Sequence, residues 1–135
     1  MRQPEKEDKK IVYTWQEFDT DIKKIISQLR KEGSKYYYVY GIPKGGLCLA
    51  VVIANYLNIP LLTNNEQLKN ILCEKENIII CDDISDTGKT FIQIRDITNY
   101  RTISLFLKQG TQFVPNLYCK TCNRNDWIIF PWEEK

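Results

Sequence analysis

Three observations predict an α/β fold, a twisted and mainly parallel sheet with helices on both faces. Apolar strand-length runs alternate with runs of helical length along most of the chain. One strand-length run, Ile78-Ile79-Ile80-Cys81, is apolar at every position, as a strand covered on both faces must be. Two predicted strands pass into a helix through short turns, Pro43-Lys44-Gly45-Gly46 and Ser85-Asp86-Thr87-Gly88. Strand ends of this kind are where open α/β sheets bind ligands.

The elements follow in order. Thr14-Trp15-Gln16-Glu17 matches a capping box, in which side chains satisfy the first N–H groups of a helix. Phe18, Ile22, Ile25, Ile26 and Leu29 then recur at helical spacing, and Gly33 supplies the stop. Tyr36-Tyr37-Tyr38-Val39-Tyr40-Gly41-Ile42 is an aromatic-rich strand. Residues 47–57 read as a nearly all-apolar helix, which should be buried. Ile59-Pro60-Leu61-Leu62 is a short strand, and residues 63–76 are polar with a helical turn around Leu68, Ile71 and Leu72. The 78–81 strand is expected to end abruptly at Asp82-Asp83. Phe91, Ile92, Ile94 and Ile97 mark a helix running to about Tyr100. Thr102-Ile103-Ser104-Leu105-Phe106-Leu107 is a strand ending in Lys108, and residues 114–118 read as another. The closing Asp126-Trp127-Ile128-Ile129-Phe130-Pro131-Trp132 suggests fixed, irregular backbone.

Composition excludes several classes. A chain of 135 residues, 43% hydrophobic and 27% charged, is of the size and balance of one globular domain. The first ten residues are charged throughout and read as a solvated tail, leaving 11–135 as the domain. A net charge of +2 is too small to argue for nucleic acid or a membrane surface, and no apolar stretch approaches a membrane span. With no secretory signal visible, the expectation is cytoplasmic. The sequence contains no His, so no Ser-His-Asp or Cys-His nucleophile and no His-ligated metal can exist, and proton transfer falls to other groups. Of the five cysteines, Cys48 and Cys81 lie in apolar segments and Cys73 in the polar one. Cys119 and Cys122 have the spacing of half a zinc site or a redox pair, but a second pair is missing. Ordinary residues of a late strand or loop are the favoured reading, with a zinc or redox role the alternative.

The residues around position 85 carry the chemistry. Thr87-Gly88-Lys89-Thr90, opening a helix, can cup a phosphate on backbone N–H groups. Asp82 and Asp83 would repel that phosphate, so they suit sugar hydroxyls, a divalent cation or a developing positive charge. Acids for a sugar beside a cradle for its phosphate suggest a phosphorylated ribose. Gly88-Lys89-Thr90 also looks like the end of a triphosphate-binding P-loop, but the first glycine of that motif would fall on Asp83, whose charge would face the phosphates. Pro43-Lys44-Gly45-Gly46 is either a tight strand-to-helix turn or a second anion cradle. Two cradles on one sheet edge imply a substrate with phosphates at both ends. Lys108, on a strand end, is either simply exposed or a donor to a carbonyl oxygen. Trp127 is either a core aromatic or a platform for a flat heterocycle.

Ile80-Cys81-Asp82-Asp83-Ile84-Ser85-Asp86-Thr87-Gly88-Lys89-Thr90 resembles the signature of the type I phosphoribosyltransferases, which bind 5-phosphoribosyl-1-pyrophosphate (PRPP). Pro43-Lys44-Gly45-Gly46 is similar to their pyrophosphate loop. Ile11-Val12-Tyr13-Thr14-Trp15, Phe106-Leu107-Lys108 and the 126–132 segment resemble matching parts of the xanthine–guanine group. The resemblance implies that fold, with a small C-terminal hood, and a purine salvage reaction. A 6-oxopurine (guanine, xanthine or hypoxanthine) plus PRPP would give the nucleoside 5′-monophosphate plus pyrophosphate. It implies that Asp82 and Asp83 hold the ribose hydroxyls and Mg2+, with Asp83 the metal ligand. Asp86 would accept the N7 proton, and Ser85 with Asp86, Thr87, Gly88, Lys89 and Thr90 would bind the 5′-phosphate side of PRPP. Lys44, Gly45 and Gly46 would hold pyrophosphate. Lys108 would donate to the 6-oxo group, Trp127 would stack on the ring and the Ile128 backbone would read the 2-position. It also implies a homo-oligomer, dimer or tetramer. The 63–76 segment is shorter than the family's closing loop and lacks its Ser-Tyr pair. The alternative function is therefore a non-catalytic nucleotide- or PRPP-binding protein of the same fold.

Overall fold

The computed structural model describes residues 9–71, 77–95 and 100–133. Cys73 and most of the residues 1–10 read as a tail lie outside these, although Lys10 already begins the first strand. The elements are β1 (Lys10–Val12), α1 (Trp15–Glu32), β2 (Tyr38–Gly41), α2 (Leu47–Leu57), β3 (Leu61–Leu62), α3 (Asn65–Ile71), β4 (Ile78–Ser85), α4 (Lys89–Arg95), β5 (Tyr100–Lys108), β6 (Leu117–Cys122) and β7 (Trp127–Ile129). Strands β3-β2-β4-β5-β6 form a five-stranded sheet, parallel at every pairing. β1 and β7 form a separate two-stranded parallel sheet, the hood. The predicted α/β class holds.

β4 is the axis of the sheet. Ile79 and Cys81 belong to the core shared with α1 and α2, whereas Ile78 and Ile80 belong to a second core with Tyr40, Leu68 and Phe91. All four are fully buried, which is why this strand is apolar at successive positions rather than at alternate ones. The chain leaves β2 toward β3 on one side and resumes at β4 on the other, and β5 and β6 are then added beyond β4. The connections therefore diverge between β2 and β4, and the carboxyl ends of those strands flank the crevice.

α1 starts as its capping residues dictate. The Thr14 hydroxyl accepts from the Glu17 N–H at 3.1 Å, and in turn donates to the Glu17 carboxylate at 3.2 Å. Gly33, in the left-handed region at φ 69°, ends the helix with its N–H on Arg30 O. Phe18, Ile22, Ile25, Ile26 and Leu29 are all buried, as their spacing predicts. Each fully buried side chain of this kind stabilises the fold by about 1.5–3 kcal/mol over its exposed state.

Several boundaries differ from the sequence reading. β4 does not stop at the acid pair: it runs on to Ser85, with Asp82, Ile84 and Ser85 in register with Ser104, Phe106 and Leu107 of β5. Its pairing to β2 ends at Cys81, so the acids lie where one neighbour has turned away and the other continues. Tyr100 opens β5 rather than closing α4, and β6 begins at Leu117 rather than Val114. Ile97 lies outside the described residues. In a strand, residues three apart point to opposite sides. Cys119 and Cys122 are accordingly separate free thiols of β6, and the four described cysteines form no disulfide. Among the described residues no group of three or more acidic, Cys or His side chains is placed to hold a metal.

Candidate active site

A cavity of about 250 Å³ opens at the carboxyl end of β4, lined by Asp83, Ile84, Asp86, Lys108, Asp126, Trp127, Ile128, Phe130 and Glu133. Five of these were singled out in the sequence, and they come from three separate elements. β4 and the loop after it bring Asp83 and Asp86, the end of β5 brings Lys108, and the hood strand β7 brings Trp127 and Ile128.

Asp82 and Asp83 are partly buried. Burial, then the neighbouring Asp83 charge, pushes the Asp82 carboxyl up to about 8, and burial raises Asp83 too. The Asp83 N–H donates to Asp82 Oδ1 at 2.8 Å, and the Trp132 indole lies close enough to favour the ionised form of Asp83 without making a regular hydrogen bond. Two desolvated carboxylates side by side form a site that gains from a cation or from a positively charged ring.

The 43–46 loop lies directly against this pair. A Cβ at Gly45 would overlap all three atoms of the Asp83 carboxyl group, and one at Gly46 would overlap Cys81 O. The loop can approach the acids only because both residues lack side chains. The Pro43–Lys44 peptide is cis, Gly46 N donates to Ile42 O at 2.8 Å, and Ile42 N donates to Cys81 O at 2.9 Å. Lys44 is exposed at the tip.

The loop after β4 is braced from outside. Gly88, at φ 86°, packs under Phe113, and Gln112 N donates to Thr87 O at 3.0 Å. Ser85 is not brought to the cavity: it is buried, and its hydroxyl donates to Phe113 O at 2.7 Å. Thr87, Lys89 and Thr90 are exposed at the start of α4.

Trp127 is 65% exposed at the cavity mouth, which decides against a core role. Its N–H donates to Lys9 O at 2.7 Å, and Ile129 O accepts from Tyr13 N at 2.9 Å. Backbone groups alternate in direction along a strand. Those of Ile128, between them, are therefore turned away from β1. The hood is held by Tyr13, whose hydroxyl donates to the buried Asp21 at 2.6 Å, an acid also paired with Lys120 at 2.6 Å.

No family model matches the chain. It is 26% identical to the xanthine-guanine phosphoribosyltransferase of Nitratidesulfovibrio vulgaris (strain Hildenborough) over 137 aligned positions, covering 90% of this chain and 83% of that protein. The crystal structure of a purine phosphoribosyltransferase from Pyrococcus horikoshii superposes with a TM-score of 0.77 at 26% identity, covering 93% of this chain and 95% of that one. The chain is similar in sequence and fold to these purine phosphoribosyltransferases. Its sheet and hood have that family's fold. The Helicobacter pylori xanthine-guanine-hypoxanthine phosphoribosyltransferase shares it at a TM-score of 0.75 and 14% identity, covering 93% of each chain.

Sequence reasoning missed two residues here. Arg124, in the turn between β6 and β7, donates from Nη2 to the backbone O of Asp86 at 3.1 Å and also to Asp86 Oδ1. Lys108 Nζ stands 3.7 Å from the other oxygen, Oδ2. Glu133 is a second omission: it lines the cavity, and burial and then the Asp83 charge raise its carboxyl. Neither carries a local signal, because each meets the site only through the folding of the hood.

The segment 63–76 is part of the scaffold as far as it is described. Asn64 caps α3 through Gln67 N at 2.9 Å, Leu68 is buried in the second core, and Tyr40 OH donates to Asn65 at 3.0 Å. Residues 72–76 lie outside the described residues.

Proposed function

We propose that the protein is a purine phosphoribosyltransferase, converting a 6-oxopurine and PRPP to the nucleoside 5′-monophosphate and pyrophosphate. The observation that carries this reading is the single cavity in which Asp83, Asp86, Lys108, Trp127 and Ile128 meet. Displacing pyrophosphate from the anomeric carbon builds positive charge on the ribose ring, as in glycoside cleavage. Asp82 and Asp83, fixed on β4, stabilise that charge and the ring hydroxyls, and preorganised electrostatic groups of this kind are worth roughly 10²–10³ in rate each. Asp86 accepts the N7 proton, a task no His can take here. Lys108 donates to the 6-oxo group, Trp127 stacks on the ring, and the Ile128 backbone meets the 2-position. Thr87, Gly88, Lys89 and Thr90 receive the 5′-phosphate at the start of α4, with Ser85 acting through the loop it braces. Lys44, Gly45 and Gly46 receive pyrophosphate.

Mg2+ fits this donor set. Asp82 and Asp83 offer hard oxygens whose mutual repulsion a divalent ion would relieve. It would neutralise charge on the pyrophosphate end of PRPP, with Asp83 as the main protein ligand. The same resemblance carries a homo-oligomer working in the cytoplasm, with 11–135 as one domain and no nucleic-acid or membrane partner. Among the described residues no helix is long and apolar enough to cross a membrane.

The second reading, a nucleotide- or PRPP-binding protein without turnover, draws on the docking of α3, which takes residues 65–71 into the scaffold. One assay separates the two. Incubation with PRPP, Mg2+ and guanine, hypoxanthine or xanthine should release pyrophosphate. No release with any of the three bases, alongside measurable GMP binding, gives the second reading.

A further inference from the structure

We infer that Arg124 is the positioning residue for the Asp86 carboxylate, and that it leaves Oδ2 as the oxygen that receives the purine proton. The inference rests on the transferase reading above. Arg124 Nη2 holds two acceptors of one residue, the backbone O and Oδ1 of Asp86. A carboxylate tied at its own backbone and at one oxygen cannot rotate without breaking the contact. The second oxygen is left facing Lys108 at 3.7 Å, which is ion-pair distance but longer than a hydrogen bond. Oδ2 is thus oriented yet uncommitted, beside the lysine that would meet the 6-oxo group and within the cavity that Trp127 borders.

The arginine is itself well placed for this. Its turn is closed by Asn123 N on Asp126 Oδ2 at 2.8 Å and by Asp126 N on Asn123 O at 3.1 Å, and Asp126 is buried. Trp127 follows directly, so one turn carries both the base platform and the clasp on Asp86. The Arg124 stem lies over Gly110 in the turn after β5, where an added Cβ would stand 3.9 Å from Arg124 Cδ and Nη1. The clasp therefore joins the β6–β7 turn, the phosphate loop and the end of β5. The rigid guanidinium places the two N–H groups of Nη2 on both acceptors at once, whereas an ammonium on a flexible stem is less fixed in direction.

Arg124 and Asp86 are 43% and 53% exposed, so the pair adds little to global stability. Its effect should appear in rate, since a misplacement of about 1 Å in a reacting group can cost roughly 10²-fold. Arg124→Gln should lower kcat about 10- to 100-fold. The KM for PRPP should stay within about threefold and Tm within about 2 °C of wild type. Arg124→Lys should recover part of the loss, and millimolar guanidinium should partly restore Arg124→Ala, which a merely structural role would not allow. In an Asp86→Asn background, Arg124→Gln should cost less than about twofold more, because the two act as one unit. An active wild type with an unchanged Arg124→Gln kcat overturns the inference alone. So does full additivity with Asp86→Asn, or equal losses in the Gln and Lys variants without guanidinium rescue. A wild type that binds GMP but turns over none of the three bases overturns the transferase reading and this inference with it.

Discussion

Asp82→Asn should stabilise the metal-free protein at alkaline pH while removing its capacity to bind PRPP with Mg2+. The sign follows from the direction of the shift. The folded-state carboxyl titrates near about 8 instead of 3.8, so the folded chain binds a proton that the unfolded chain releases across that window. Stability associated with the protonated acid is fully present below pH ~4 and is lost progressively as pH rises through about 8. A displacement of about four pH units corresponds to about 6 kcal/mol between the two limits. Reorganisation around the pair, and water entering from the cavity side, relieve part of this. If half of that shift survives, about 3 kcal/mol of penalty is present at pH 9 and about 1.5 kcal/mol at pH 5. Asn is uncharged at all these pH values and can still accept the Asp83 N–H through Oδ1.

A domain of this size moves in Tm by about 3–5 °C per kcal/mol, so the variant should melt about 12 °C above wild type at pH 9 and about 6 °C above it at pH 5. Thermal unfolding followed by circular dichroism in EDTA at pH 5, 7 and 9 measures the difference. PRPP with Mg2+ at about 100 times Kd should raise wild-type stability by about 2.7 kcal/mol and leave the variant unmoved. A Tm difference that is flat in pH, or larger in the acid range, would refute the view that desolvation and mutual repulsion raise this pair.

Three further outcomes are expected. Trp127→Ala, removing a 65% exposed ring, should leave stability within about 0.5 kcal/mol of wild type. It should weaken GMP about 5- to 100-fold, the range of a lost base–aromatic stack, with PRPP affinity unchanged; isothermal titration with each ligand checks this. Gly45→Ala forces a methyl into the Asp83 carboxylate and should cost about 1–3 kcal/mol of stability and raise the KM for PRPP, read from thermal melts and initial rates. Tyr13→Phe deletes a buried hydroxyl from the Asp21–Lys120 cluster and should cost about 1–3 kcal/mol in urea unfolding while leaving the KM for PRPP alone.

The parts of the fold legible in the sequence are those whose signal is local. Thr14, Glu17 and Gly33 act within one turn of α1, and the 78–81 run is apolar because both faces of β4 are covered in the same stretch. The continuation of β4 through Asp82 and Asp83 had no such signal. Carboxylates there look like a strand end, and only the β5 register keeps the backbone extended beneath them. The hood had no periodic signal either and was expected only from the resemblance, since β1 and β7 have three residues each, too few for a period to appear, and Val12 and Trp127 are exposed. The candidate site divides along the same line. Asp82, Asp83, Asp86 and the 43–46 loop announce themselves because strand-to-helix turns with acids or glycines have few other uses. Arg124 joins Asp86 across 38 positions of chain, in a turn whose composition is that of any polar loop. Its partner is chosen by how the hood folds back over β4 and β5. The residues proposed to orient the proton acceptor are thus harder to read than the acceptor itself: Asp86 is tied to a strand end, while its support comes from whatever segment the topology lays beside it.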